Sequence, residues 1–349
     1  MPNKIMRKLA SVSSIFLFIG TYFVTMSAPV YSNSVLAQDS EVTTQINKEA
    51  RPETAKSLLM KMSEAVHKNN FNASFAVVKG NNMEPYKWLH GINGNDELEH
   101  LSLLNGAGLE VFRVNNKVTY FEPQSAPYTV IAKHISGPIP DVLFQDITVL
   151  EQAYNFTLGG KGRIAGRAAQ LVKIEAKDES KFNYWLWLDL ESTLLLKAAY
   201  VNNKGEALEQ LQLTHVSMTK HIAPELIEMS NKQLPEVVAV EKEVSSGDIK
   251  DAQGNWLIGW LPDGFKLLKS DRHNLNLNNE LADYYLYGDG LIEVSVFVQR
   301  PLPGKRRGGI LSSGATSIFV HNADGYDVSV VGNIPGMTAK TIAQSVQRK

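Results

Sequence analysis

The hydrophobic pattern of the chain changes period three times, and each change marks a different kind of element. ETAKSLLMKMSEAVHK, from Glu53 to Lys68, places Leu58, Leu59, Met62, Ala65 and Val66 on one stripe at helical spacing, and Asn69-Asn70 ends it. Beyond Asn70 the period falls to two. Strands are expected over 71–78, 86–89, 109–113, 117–122, 128–130, 154–159, 162–164, 168–176, 182–189, 194–201 and 207–218, divided by polar turns such as Asn115-Asn116 and Asn202-Asn203-Lys204-Gly205. Gly159-Gly160 and Gly166-Arg167 read as further hairpin turns. Long antiparallel strands in unbroken succession predict a curved sheet or open barrel, closed on one side by the first helix.

The alternation is lost between His221 and Gly254, where two prolines, short apolar pieces and charge suggest a short helix and a linker. A second unit of about 95 residues follows, with NWLIGWLPDGFKLL, a strand in LADYYLYGDGLIEVSVFVQR, a basic turn PLPGKRRGG, strands near 318–321 and 326–332, and a helix over 335–346. Its expected content is four or five strands and that terminal helix. The organisation is therefore 1–37 leader, 38–52 flexible lead, 53–220 open-barrel domain, 221–254 linker with a short helix, and 255–349 small α+β domain.

The first 37 residues carry Lys4, Arg7 and Lys8, then an apolar run from Leu9 to Met26, then Val35-Leu36-Ala37. That is the pattern of a secretory signal peptide with a cut after Ala37, and the serines, glycine and threonine in the run favour cleavage over a retained anchor. Removing three cations from a chain of formal charge -1 leaves -4, because residues 1–37 hold no Asp or Glu. Such a balance does not ask for nucleic acid. With no cysteine, an exported chain has neither a disulfide framework nor a thiolate metal site, so burial of apolar side chains must hold it together.

Candidate chemistry is sparse. None of the eight histidines has HExxH spacing, GGILSSG lacks the GxSxG elbow, and LGGKGRIAGRAAQLV lacks the phosphate-loop spacing. No metal, cofactor or enzymatic activity is expected. Aromatic residues stand out instead. In FNYWLWLDL, Tyr184, Leu186 and Leu188 share one face of a strand while Trp185 and Trp187 take the other. Two apolar faces predict a sheet covered twice, by helix on one side and by a second layer, another domain or a lipid-like ligand on the other. In VTYFEPQSAPYTV the prolines end and restart strands, and Tyr120, Phe121 and Tyr128 are expected at a cavity mouth or domain junction, where amphipathic rings suit a boundary between lipid and water.

Runs of the form WLWLDLESTLLLKAAY resemble the open-barrel fold of the LolA and LppX lipoprotein carriers. The ordered succession LNGAGLEVFRVNNKVTYFEPQSAPYTV, GRIAGRAAQLVKIEAKD, YWLWLDLESTLLLKAAYVNNKGEALEQLQLTHV and GWLPDGF is more specific. It resembles the MucB/RseB family of periplasmic regulators of the sigma-E envelope stress response over nearly the whole exported chain. The departures are the lead from Gln38 to Pro52 and the Gly-rich 304–314 turn. The resemblance implies a non-enzymatic negative regulator that binds the periplasmic domain of the anti-sigma factor RseA, shields it from DegS, and is released by lipopolysaccharide or mislocalised lipoprotein. It implies a lipid-sensing amino-terminal domain, with Tyr120, Phe121, Tyr128, Trp185 and Trp187 as cleft candidates. A carboxy-terminal domain would contact the partner, with Trp256, Trp260, Phe265, Arg300, Lys305, Arg306 and Arg307 as candidates. Homo-oligomerisation is a further expectation. The alternative is a periplasmic lipid or lipoprotein carrier, which would not need the second domain.

Overall fold

The computed structural model describes residues 53–238, 255–275, 280–301, 309–323 and 325–349, apart from 107 and 124; side chains of 271–275 and 280–281 are not described. The expected signal peptide, the 38–52 lead and Lys305, Arg306 and Arg307 lie outside the described residues.

Helix α1 (Ala55–Lys68) begins in a reciprocal cap, in which Thr54 Oγ1 accepts from the Ser57 amide at 3.1 Å and Ser57 Oγ accepts from the Thr54 amide at 3.0 Å. Its buried stripe, Leu58, Leu59, Met62, Ala65 and Val66, is the one the periodicity predicts. Strands β1 (Asn70–Lys79), β2 (Asn82–Asn93), β3 (Asp96–Leu103), β4 (Glu110–Val114), β5 (Lys117–Phe121) and β6 (Tyr128–Ile131) follow. After a 3-10 turn at Asp141–Leu143 and the short α2 (Ile147–Leu150) come β7 (Tyr154–Ile164), β8 (Arg167–Ala176), β9 (Asn183–Asp189), β10 (Leu195–Val201) and β11 (Ala207–Thr219). These make one antiparallel sheet in the order β6-β5-β4-β3-β2-β1-β11-β10-β9-β8-β7. Its end strands do not pair, so the sheet is an open, unclosed barrel as expected. Helix α1 packs inside it against β2, β7 and β8.

Three local expectations are corrected. Gly159-Gly160 is not a turn: β7 runs through it as one strand with a register shift between Leu158 and Lys161, and a Cβ on Gly159 would sit 2.5 Å from Leu171. The hairpin comes at Ala165 and Gly166, whose φ values are 48° and 78°, the positive pair that a two-residue hairpin turn needs. Strand β3 escaped the alternation because its inward position 99 is a glutamate, fully buried. LADYYLYGDGLIEVSVFVQR is two strands, β14 and β15 below, because Asp289 Oδ1 accepts from the Leu291 and Ile292 amides and Gly290 takes φ 93°.

Helix α3 (Pro224–Ser230) lies on the outside of the large sheet over β2 and β3. Leu89, Leu98, Phe112 and Leu226 form a small buried cluster there. After α3, the Val238 amide donates to Thr129 O at 2.8 Å and Val237 bridges Thr129, so this stretch lines the β6 edge.

In the second unit, β12 (Trp256–Ile258) pairs with the last strand, β19 (Val346–Arg348). Strands β13 (Lys266–Leu275), β14 (Glu280–Gly288), β15 (Glu293–Gln299), β16 (Gly309–Ser313), β17 (Thr316–Ala323) and β18 (Tyr326–Gly332) form an antiparallel sheet ordered β13-β14-β15-β18-β17-β16. Helix α4 (Gly336–Gln344) covers one face, over β17, β18 and β16. Buried residues of both sheets belong to one continuous apolar core.

Candidate functional site

A cavity of about 450 Å³ opens at the end of β1, lined by Val77, Lys79, Glu84, Tyr86, Leu109 and Pro138, among others. A smaller one of about 130 Å³ shares Val77, Gly137, Pro138 and Glu209 with it and continues towards Tyr184, Tyr200 and Asn333. Apolar walls come from the inward positions of β1, β2, β10 and β11, whose alternate residues point to one face. The polar rim comes from strand ends. Tyr86 donates its hydroxyl to Glu84 at 2.8 Å, and burial with that neighbouring carboxylate holds its phenol protonated well above the usual range. Burial acts on Tyr184 and Tyr200 in the same direction.

The second sheet reaches this rim. Lys79 Nζ donates to Thr316 Oγ1 at 2.6 Å and lies 3.4 Å from Glu209 Oε2, which has no hydrogen-bond partner among the described residues. Gly314 turns the β16–β17 hairpin at φ 59°, and a Cβ there would meet Lys79 Cγ at 2.8 Å and Glu209 Oε2 at 3.1 Å. Only glycine provides both the backbone conformation and the clearance.

A buried joint lies elsewhere between the two sheets. Asp289 Oδ2 accepts from the Tyr154 hydroxyl at 2.7 Å and sits 3.6 Å from Lys181 Nζ, with both charged side chains fully buried. Lys181 also donates to Asp263 O at 2.7 Å and stands 4.7 Å above the Tyr154 ring. Burial, reinforced by Asp289, keeps the Tyr154 phenol protonated.

A second buried polar network closes the opposite end of the large sheet. Arg113 donates from Nε to Glu99 Oε2 at 2.5 Å and from a terminal nitrogen to Glu97 Oε1 at 2.6 Å. His67 and His90 reach the same Glu97 oxygen at 2.8 and 3.1 Å. Burial opposes the Glu97 charge, but hydrogen bonds from His67, His90 and Arg113 outweigh it and hold the carboxyl far below its ordinary range. The Glu97 hydrogen bond raises His67 against desolvation. The sequence shows neither this network nor the joint at Lys181 and Asp289, because the partners are 7 to 135 residues apart and look like ordinary surface polar groups until the sheet brings them together.

The sequence-derived cleft candidates separate. Tyr120 and Tyr128 are cross-strand partners with stacked rings 5.3 Å apart; Tyr120 packs against the main core. Burial raises its phenol pKa. Neither ring lines the cavity. Phe121 faces the other side of the sheet and joins the cluster beneath α3, because adjacent strand residues point oppositely. Trp185 and Trp187 are also on the outer face, so they do not line a cleft. Lys173 and Lys197 cover their rings at 4.6 and 4.9 Å in place of the expected second layer.

The partner candidates divide in the same way. Trp256 is a core residue, 4 % exposed, with its indole N–H on Asp283 Oδ2 at 3.1 Å and its ring edge-on to Tyr326, which leaves it no surface for a partner. Phe265 is half-buried and turns towards Lys181 in the joint. Trp260 and Arg300 are exposed.

Comparison with known proteins follows the same division of the chain. Residues 54–238 match the family model of the MucB/RseB N-terminal domain, and residues 250–347 match that of the MucB/RseB C-terminal domain. The sigma-E factor regulatory protein RseB of Escherichia coli K12 is 28 % identical over 291 residues, covering 83 % of this chain and 89 % of that protein. The sigma factor AlgU regulatory protein MucB of Pseudomonas aeruginosa is 27 % identical over 304 residues, with the same coverage. Among solved structures, the Pseudomonas aeruginosa MucA/MucB complex matches with a TM-score of 0.67 at 25 % identity, covering 84 % of this chain and 99 % of that one. A crystal structure of MucB matches with a TM-score of 0.57 at 26 % identity, covering 84 % of this chain and 98 % of that one.

Proposed function

Because the chain belongs to the MucB/RseB family, we propose that it is a periplasmic negative regulator of sigma-E signalling that binds the periplasmic domain of a membrane-spanning anti-sigma factor of the RseA/MucA kind. The observation that carries this reading is the match of both family domains, in order, across most of the chain. A carrier would need only the first. Binding shields the anti-sigma factor from the site-1 protease DegS, and lipopolysaccharide or lipoprotein acyl chains release it. The acyl-chain site is the cavity beside Lys79 and Tyr86, where each buried methylene contributes about 0.8 kcal/mol. Its support is the apolar lining of Val77, Leu109 and Pro138 beneath a polar rim of Lys79, Glu84 and Glu209, which suits a ligand with a polar head and an apolar tail. In loops of the second unit, the exposed Trp260 and Arg300 offer a stacking surface and a forked donor for carboxylates.

The test is a cleavage assay with purified DegS and the anti-sigma periplasmic segment. The protein should slow cleavage, and adding lipopolysaccharide should restore it. Unchanged cleavage with saturating protein would refute the regulator, whereas protection that lipopolysaccharide leaves intact would refute only the lipid arm. Substituting Val77→Asp should abolish the lipid response while preserving protection.

A further inference from the structure

Strand β9 turns two of its three aromatic residues, Trp185 and Trp187, outward, and among the described residues no helix or second sheet covers them there. Helix α3 covers β2 and β3, leaving the outer face of β8, β9 and β10. On that face Lys173 is the cross-strand partner of Trp185, and Lys197 that of Trp187. Each ammonium rests on its neighbour's ring, and the two rings meet edge to face at 6.3 Å. Neither lysine has a carboxylate within ion-pair distance among the described residues; Glu175, two residues along β8, accepts from Thr157 Oγ1 instead. Partial burial lowers the Lys197 pKa with no opposing contribution. The Trp185 indole N–H is shut off from water and has no acceptor among the described residues. The face therefore holds two cations without counter-ions, a donor without an acceptor, and an apolar floor between them.

The spacing selects a ligand. Lys173 and Lys197 are separated by two interstrand steps of about 4.8 Å and by two residues along the strands, roughly 12 Å on the diagonal. In an extended peptide rising about 3.3 Å per residue, side chains at i and i+4 are about 13 Å apart and point the same way, with i+2 between them on the same side. A single phosphate is a poorer fit, because it needs converging donors and the backbone N–H groups of these interior strands are engaged in the ladder. A lipid surface is a poorer fit as well, because Gln212 and Gln210, the β11 partners of Lys197 and Ala199, continue this face where protruding apolar side chains would be required.

We propose that Lys173, Trp185, Trp187 and Lys197 form a docking surface for an extended acidic peptide with carboxylates at i and i+4 and an apolar side chain at i+2. The carboxylates draw the ammonium groups off the rings, and the apolar residue takes their place on the indoles. This surface faces away from the cavity and stands independently of the regulatory reading.

The experiment is fluorescence anisotropy of the purified full chain with a labelled nine-residue peptide carrying Asp and Glu four positions apart around a central Leu. Controls are the Asn/Gln version, a version with the acids three apart, and vesicles of phosphatidylcholine with one quarter phosphatidylglycerol. Saturable binding should weaken at least tenfold in Lys173→Gln/Lys197→Gln, at least fivefold for either peptide control, and progressively as salt rises from about 50 to 300 mM. Circular dichroism should show the variant folded, because exposed cation–ring contacts contribute little to stability; should it not fold, the single variant Lys173→Gln, expected to bind at least threefold more weakly, decides. Equal affinity of wild type and variant, no saturable binding of the acidic peptide, or lysine-dependent capture of vesicles without peptide binding would each overturn the proposal.

Discussion

Replacing Asp289 by alanine should be among the most damaging single changes outside the apolar core. The substitution removes an acceptor from three donors, the Tyr154 hydroxyl and the Leu291 and Ile292 amides, and takes the counter-charge from Lys181. Both charged side chains are fully buried, so water cannot make good the loss. Breaking a buried ion pair from one side costs about 3–5 kcal/mol, since the remaining charge is stranded in a low-dielectric interior. Lys181→Met is the informative partner. It keeps the length of the stem and leaves Asp289 with its three donors, so it should cost about 1–3 kcal/mol. The double variant Lys181→Met/Asp289→Ala should be less destabilised than the sum of the singles by at least about 1 kcal/mol. Urea unfolding, followed by far-ultraviolet circular dichroism and by tryptophan fluorescence, measures all three. The continuous core predicts that the two probes change together in the wild type. An Asp289→Ala cost below about 1 kcal/mol, a Lys181→Met cost exceeding it, or strict additivity would refute the joint as a coupled pair.

Three further outcomes are expected. The Glu97 pKa is depressed, so its contribution to stability is present above its ordinary 4.5 and is lost as pH falls through the folded value; that of His67, which is raised, is present below 6.5 and is lost as pH rises through the folded value. The urea midpoint should thus fall above about pH 6.5 as well as in acid, and His67→Phe should abolish the alkaline decline and lessen the acid one, since His67 is one of the donors that hold Glu97 down; an unchanged alkaline slope in that variant would remove His67 from the network. Leu226 is fully buried in the small outer cluster, so Leu226→Ala should cost about 2–5 kcal/mol and expose the 221–238 stretch to limited proteolysis before the rest of the chain. Amino-terminal sequencing of the protein from the envelope should begin at Gln38, and a start at Met1 in the membrane fraction would contradict removal of the leader.

Helix α1, most strands of the large sheet and the open architecture were legible in the sequence because each is set by local periodicity. Apolar residues every third or fourth position can bury only as a helix, and alternating residues only as a strand. Membership of the family was legible for a related reason, since ordered blocks such as WLWLDL and GWLPDGF can be read along the chain without its fold. The alternation in FNYWLWLDL even separated Tyr184, Leu186 and Leu188 from Trp185 and Trp187. It did not assign either group to the inside. That choice belongs to the curvature of the whole sheet and to α1, which occupies the concave side and leaves the tryptophans to Lys173 and Lys197. Phe121 left its neighbours for the same reason, once α3 returned more than 100 residues later to cover the outer face. Lys181 and Asp289, or Glu97, Glu99, Arg113 and His67, appear along the chain as ordinary charged residues. Only the tertiary fold removes water from around them, and the loss of water makes each charge depend on a partner that local sequence does not specify.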